Sequence, residues 1–244
     1  MLTTRKSIAM TKINMNSGVN QSKKLHIDNP DYGHLSAYKD PLNAKKHLNI
    51  DNAVKLVNVS KRKIRSILDF GCGKGGLIKQ LRTNLDSDIM VEGYDPGLKE
   101  HSHGLSRDYD LITCIDVLEH IDRCKIDETL TRIKRHCNGI FFYCIDLIPA
   151  VKQLNDGRNA HILLAPPDWW FGQITSHFSM NLSFHVGHMP DGSRYPLRLF
   201  GCATNNHNYF DQCALFVMGT QLTKRRWIIE NTNEGPMVAL KNQK

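Results

Sequence analysis

The sequence predicts an α/β fold, a mostly parallel sheet doubly wound by helices on its two faces, and three segments carry that prediction. The first is Ile67-Leu68-Asp69-Phe70-Gly71-Cys72-Gly73-Lys74-Gly75-Gly76. An apolar run ends in an acid, breaks into alternating glycines and re-enters a periodic pattern at Leu77, Ile78, Leu81 and Leu85. Those spacings share one helix face, so the segment reads strand, glycine turn, helix, the opening of a Rossmann-like unit. The second, Ile89-Met90-Val91-Glu92-Gly93-Tyr94-Asp95-Pro96, reads as a short strand ending in an acid. The third, from Tyr109 to Ile121, is an apolar strand that ends in polar residues and opens a helix. Strands alternating with helical patterns build parallel sheets.

The same residues bound the ligand. Glycines lack Cβ atoms and let the backbone approach a ligand closely. A helix N-terminus attracts anions, and Asp69 before the first glycine opposes that attraction for a pyrophosphate. A ligand with a cationic end and sugar hydroxyls suits the acid better. Asp95 follows Gly76 by 19 residues, close to the interval of about 20 that separates a glycine turn from a ribose-binding acid. Two readings compete. Gly71, Gly73 and Gly76 also satisfy G-x-G-x-x-G, the dinucleotide pattern. Asp95-Pro96-Gly97 is a turn signal in its own right. A phosphate-binding P-loop fits poorly, because Lys74 is followed by Gly75 and not by Ser or Thr.

Taken together and in this order, the three segments resemble the motifs of class I S-adenosylmethionine (SAM)-dependent methyltransferases. Asp69, Gly71, Gly73 and Gly75 match the acid-x-Gly-x-Gly-x-Gly motif, and Asp116-Val117-Leu118-Glu119-His120 matches the segment after the fourth strand. The resemblance spans Ile67 to Asp146, about a third of the chain. It implies SAM as cofactor, bound by Asp69, Gly71, Cys72, Gly73, Gly75, Tyr94, Asp95, Pro96, Ile115 and Asp116, with Asp95 accepting from the ribose hydroxyls. It also implies an antiparallel strand finishing the sheet. One departure stands out. Only 14 residues lie between Asp95 and Asp110, where the family fits a helix and a third strand, so the adenine-side wall is expected to be abbreviated.

Methyl transfer needs a nucleophile held in line and, for many acceptors, a group that takes its proton. Glu119, His120 and His161 are the catalytic candidates, the histidines because imidazole titrates near neutrality. Glu119 and His120 also suit a purely structural role in orienting the following helix. A metal is the other alternative. Asp116, Glu119 and His120 follow an acid-x-x-Glu-His spacing that resembles the metal-binding segment of small-RNA 2′-O-methyltransferases and ubiquinone-pathway O-methyltransferases. There the first acid is glutamate. Asp116 is shorter, and His161, His177 and His185 are all unplaced as the further ligand, so the sequence predicts a metal-independent enzyme.

The chain of 244 residues, 41% hydrophobic and 23% charged, is expected to form one globular domain. Residues 1–24 read as a flexible tail, and 25–65 as an N-terminal strap or lid with a helix, in which Tyr32 or Tyr38 could touch ligand. Residues 66–244 read as the catalytic core with C-terminal substrate-side elements. Asp51 is expected to cap a helix running to Val59, with Ala53, Leu56 and Val57 inward. Further on, Ile126, Leu130 and Ile133 share a helix face, and Gly139 to Ile145 reads as a buried strand. Asn155 to Asn159 is a loop, and Asp168 to Phe178 a helix carrying Trp169, Trp170 and Ile174. Met180–Val186, Cys213–Met218 and Arg226–Glu230 read as strands.

No run of about 18 apolar residues and no signal-peptide core is present, so neither a membrane span nor export is expected. Seven cysteines without a C-x-x-C pair predict reduced thiols and a cytoplasmic location. The net charge of +8 is compatible with nucleic acid, anionic lipid or a phosphorylated small molecule, although a solvated basic face is the commoner explanation. No RNA-binding motif accompanies it. Trp169-Trp170 could stack on a ligand or simply pack a helix. The expected acceptor is a small or conjugated metabolite, methylated on oxygen or nitrogen. The alternatives are an RNA methyltransferase, an NAD-dependent oxidoreductase and a non-catalytic SAM-binding module.

Overall fold

The computed structural model describes residues 50–60, 63–186, 197–224, 227–232 and 235–240. The tail, the strap with Tyr32 and Tyr38, Arg226 and the side chain of His185 lie outside the described residues. The order is α1 (Ile50–Val59), β1 (Ser66–Phe70), α2 (Gly76–Asn84), β2 (Met90–Tyr94), β3 (Tyr109–Ile115), α3 (Ile126–His136) and β4 (Cys137–Asp146). Then come α4 (Pro167–Thr175), β5 (Met180–Val186), β6 (Arg198–Thr204), α5 (Phe210–Lys224), β7 (Trp227–Thr232) and β8 (Gly235–Leu240). Six strands form one sheet in the order β2-β1-β3-β4-β6-β5, and β7 pairs with β8 in an antiparallel hairpin.

β1 to β4 pair in parallel, and β6 runs antiparallel to both β4 and β5. The antiparallel strand is thus the last of this sheet in chain order but lies inside it, with β5 at the edge. Successive side chains on a strand point to opposite faces. Ile67, Leu111 and Phe142 therefore pack with α1, α2 and α5, while Leu68, Ile112 and Phe141 pack with α3 and α4. Strands buried on both faces read as near-continuous apolar runs, which is why β1 and β3 were legible. Each fully buried Leu, Ile or Phe contributes roughly 1.5–3 kcal/mol. Leu81, Leu130 and Trp170 anchor α2, α3 and α4 in this way. Ile50, Ala53, Leu56 and Val57 make α1 part of the same core, with Asp51 in its first turn rather than before it.

Several expectations need correcting. Cys213–Met218 is not a strand but part of α5. A short apolar run fits either structure. The buried positions Tyr209, Gln212, Cys213 and Phe216 recur at helical spacing, while Met218 is exposed. The antiparallel strand is instead Arg198–Thr204, which the sequence reading passed over. After β3 the chain makes two short 3₁₀ turns, Leu118–His120 and Arg123–Lys125, before α3. Between Tyr94 and Tyr109 there is neither helix nor strand, as the short spacing predicts. Among the described residues no helix is long and apolar enough to cross a membrane. The seven cysteines form no disulfide.

Candidate active site

The chain leaves β1 toward β2 on one side, and β3 takes the other. Ligands of open α/β sheets bind at such a reversal, beyond the carboxyl ends of the strands. Here a cavity of about 790 Å³ opens there.

The glycine turn forms one wall. Gly71, Gly73 and Gly75 have φ of 78°, 50° and 75°. A Cβ on Gly71 would lie 2.4 Å from Val117 Cγ2, so this glycine is required by packing. A Cβ on Gly73 would meet nothing within 4 Å and would stand in the cavity. Gly71 and Cys72 N–H both donate to the Tyr94 carbonyl, at 2.7 and 3.2 Å, tying the turn to β2. Gly75 precedes α2 and is not part of the cavity wall, unlike Gly71, Cys72 and Gly73.

Asp95 follows β2. Its carboxylate accepts from Gly73 N–H at 2.9 Å and from Gly97 N–H at 2.8 Å, and it faces the cavity. A carboxylate has about four acceptor sites, so capacity remains for a diol. Tyr94 and Pro96 flank it on the wall, and Arg132 donates to the Tyr94 hydroxyl at 2.7 Å. Asp69 is buried beneath, accepting from Thr113 Oγ1 at 2.8 Å. Burial, and then the charge of Asp95, push its carboxyl up to about 7 against the pull of that hydrogen bond.

The opposite wall comes from the end of β3. Ile115 and Asp116 line it. Asp116 has φ 55°, the left-handed region that few residues other than glycine adopt and that Asp tolerates better than most. Its N–H donates to the Cys144 carbonyl at 2.9 Å, and its carboxylate lies 3.7 Å from Arg198. Arg198 also donates to Asp146 at 3.1 Å. Beyond this pair sit the catalytic candidates. Glu119 is fully buried and accepts from Asp146 N–H at 2.9 Å. His120 and His161 line the cavity and meet edge to face, centroids 4.8 Å apart. Burial, and then the Asp116 charge, raise the Glu119 carboxyl to about 8; burial first lowers His120.

His161 reaches this place through a loop that the sequence marks only as a loop. Asn159 Oδ1 accepts from Ala150 N–H and His161 N–H, both at 2.9 Å, and Asn159 Nδ2 donates to the Ala150 carbonyl. Leu163 N–H donates to the Glu119 carbonyl and closes the loop onto the site. Sequence reasoning missed Arg198, because β6 went unrecognised, and Asp146, whose only signal was its place at the end of a predicted strand. Trp169 and Trp170 are not part of the cavity wall. Trp170 is buried in the core, and Trp169 lies under the Arg123 guanidinium at 4.8 Å.

A glycine cradle and a carboxylate at the tip of the second strand face an acid–histidine cluster across a switch-point cavity, the place where open α/β sheets hold nucleotide-like ligands. Residues 38–181 match the family described as a methyltransferase domain, and the chain belongs to that family. No curated protein matches the chain. Among solved structures, an O-methyltransferase family protein from Burkholderia thailandensis is 14% identical, with TM-score 0.47, over 65% of this chain and 55% of that one. Human N-acetylserotonin methyltransferase in complex with SAM is 15% identical, with TM-score 0.40, over 65% and 52%. The plantazolicin methyltransferase BamL, in complex with a triazolic desmethylPZN analog and SAH, is 12% identical, with TM-score 0.49, over 65% and 84%. The chain thus spans about half the length of the first two.

SAM fits the residues present. The space above Gly73 is open to a ligand, Asp95 keeps acceptor capacity at the end of β2, and the buried Asp69 suits a cationic group. The raised Asp69 pKa has a pH consequence. A buried acid of this kind stabilises the unliganded fold below the ordinary carboxylate range, and that contribution is lost as pH rises through about 7. A cationic ligand instead favours the ionised form. SAM affinity should therefore rise about tenfold between pH 6 and pH 8, following the ionised fraction of a group near 7. Calorimetry on the wild type and Asp69→Asn checks this. An equal pH slope in both would assign the titration to another group.

Proposed function

We propose that this protein transfers a methyl group from SAM to an oxygen or nitrogen of a small or conjugated metabolite. One observation supports the proposal: the glycine cradle with Asp95 and the two histidines His120 and His161 border a single cavity, with Glu119 buried behind them. When bound, SAM supplies an electrophilic methyl group for in-line displacement.

The chain's own residues do the rest. Asp95 fixes the sugar and Gly73 lets the cofactor lie against the backbone. Asp69 sits beneath the turn as a buried counter-charge. Asp116, turned by its positive φ and paired with Arg198, stands between the cofactor wall and the acceptor side. Glu119, His120 and His161 receive the acceptor's reacting heteroatom. Holding the reactants at the right distance and angle is the main contribution such a site makes. A cavity of this volume suits small-molecule ligands, which supports a small acceptor over a polymer.

A second acceptor class is favoured by charge. The chain carries +8, and Lys74, Lys125, Arg132 and Lys152 line the cavity. Titrations of the full chain with SAM, its demethylated product and NAD, followed by mixed RNA and DNA fragments at two ionic strengths, test both readings. SAM and its product should bind, and NAD should not. Nucleic-acid binding should vanish near physiological salt, because each neutralised phosphate releases counterions. Tighter NAD binding would move the chain to hydride transfer. Retained sub-micromolar RNA binding with methyl incorporation would replace the small acceptor by RNA.

A further inference from the structure

The stretch from Asp95 to Asp108 holds neither helix nor strand, so the cavity wall beside Asp95 is completed from elsewhere. The loop itself turns back tightly. Asp95 N–H donates to the His101 carbonyl at 3.0 Å, and His101 N–H to the Leu98 carbonyl at 2.9 Å. It contributes the apolar side chains of Pro96 and Leu98 to the wall. Polar groups come from the start of α3. Lys125, Glu128, Thr129 and Arg132 all line the cavity, and their spacing puts them on one helix face. Ile126, Leu130 and Ile133 pack into the core from the other side of the same helix. The polar stripe is pinned to β2: Arg132 Nη1 donates to the Tyr94 hydroxyl at 2.7 Å, and its guanidinium lies 6.0 Å from the Tyr94 ring centroid. Tyr94 immediately precedes Asp95, so the stripe is fixed beside the ribose-binding acid. Glu128 is held in turn, its two oxygens 3.1 Å from Lys125 Nζ and 3.8 Å from Arg132 Nη2.

Resting on the SAM reading of the cavity, we propose that Glu128, Thr129 and Arg132 of α3 bind the adenine of SAM, standing in for the strand this chain lacks between β2 and β3. The base is joined to the sugar that Asp95 holds, so it lies next to Asp95. Of the described helices that border the cavity, α2 contributes only Gly76 and Leu77, neither with a polar side chain. α3 brings hydrogen-bonding side chains to the tip of β2, and the Arg132–Tyr94 bond keeps them there.

The chemistry of the stripe matches the base. Adenine presents an amino donor and ring-nitrogen acceptors. Glu128 accepts from the amino group, since a carboxylate has about four acceptor sites and its two cationic neighbours leave capacity. Arg132 and the Thr129 hydroxyl donate to ring nitrogens, while Pro96 and Leu98 cover an apolar face of the ring. A site built around a donor rejects the analogue that lacks it, because its own acceptor is left without a partner. Hypoxanthine is that analogue, with a carbonyl where adenine carries its amino group.

The test is calorimetry on the full chain with two ligands: S-adenosylhomocysteine, the demethylated product, and S-inosylhomocysteine, which carries hypoxanthine in place of adenine. The wild type should bind the adenine ligand at least about tenfold tighter, the worth of one hydrogen bond to a charged group. Glu128→Gln should weaken the adenine ligand about tenfold and narrow the preference, because the glutamine amide donates to the hypoxanthine carbonyl. Arg132→Met should weaken both ligands. Lys134→Ala, which removes a charge from the exposed side of α3, should change neither. Exposed ion pairs such as those of Glu128 add little to stability, so the fold is expected to persist. If Arg132→Met does not fold, Glu128→Gln, of nearly identical shape, decides. An unchanged affinity for the adenine ligand in folded Glu128→Gln, or an equal preference in wild type and Glu128→Gln, overturns the adenine wall and leaves the SAM reading intact. A wild type that binds neither SAM nor S-adenosylhomocysteine removes the SAM reading, and the adenine wall with it.

Discussion

Gly73→Val is expected to abolish SAM binding in calorimetry while the protein stays folded. Gly73 sits at φ 50°, and its Cβ position is free of protein atoms within 4 Å. The left-handed conformation costs a side-chain-bearing residue about 1–2 kcal/mol, and more for one branched at Cβ. That is survivable in most domains. The ligand suffers more, because the isopropyl group projects into the cavity and because any backbone relaxation pulls Gly73 N–H from Asp95. Gly71→Ala makes the contrast. Its Cβ would meet Val117 at 2.4 Å, so that variant should lose stability first, seen as a lower melting temperature without ligand. Tight SAM binding by folded Gly73→Val would place the cofactor elsewhere.

Asp95→Ala should weaken SAM binding about ten- to a hundredfold. Hydrogen bonds to a charged group are worth roughly 1.5–3 kcal/mol each, and the ribose offers two hydroxyls. Part of the loss is indirect, since Asp95 also holds Gly73 N–H and Gly97 N–H and so shapes the cradle it faces. Asp95→Asn keeps an acceptor without the charge and should fall between the two. An unchanged dissociation constant in folded Asp95→Ala, measured by calorimetry, would remove Asp95 from the cofactor site.

What could be read in the sequence was what is decided locally. β1, the glycine turn and α2 form one contiguous segment whose apolar spacing, acid and glycines each have a local cause. The missing strand between Asp95 and Asp110 was legible by counting residues. What escaped depends on contacts remote in sequence. Arg198 enters the site from a strand inserted between β4 and β5, and nothing near Arg198 signals that pairing. The helical state of Cys213–Met218 is settled by burial at Cys213 and Phe216, which an unbroken apolar run does not reveal. His161 was a candidate from its position. Its closeness to Glu119 comes from the side-chain hydrogen bonds of Asn159 and the Leu163 N–H, which no periodicity encodes.

The absent third strand leaves β2 as the outermost strand on its side among the described strands, and β2 leads directly into Asp95. Marginal strands open more readily than central ones, because they share a ladder with one neighbour and not two. The cofactor's ribose would therefore join an edge strand of the sheet to the glycine turn that springs from β1. Cofactor binding is then expected to quiet that margin more than the buried strands, which slower amide exchange along β2 on addition of SAM would show.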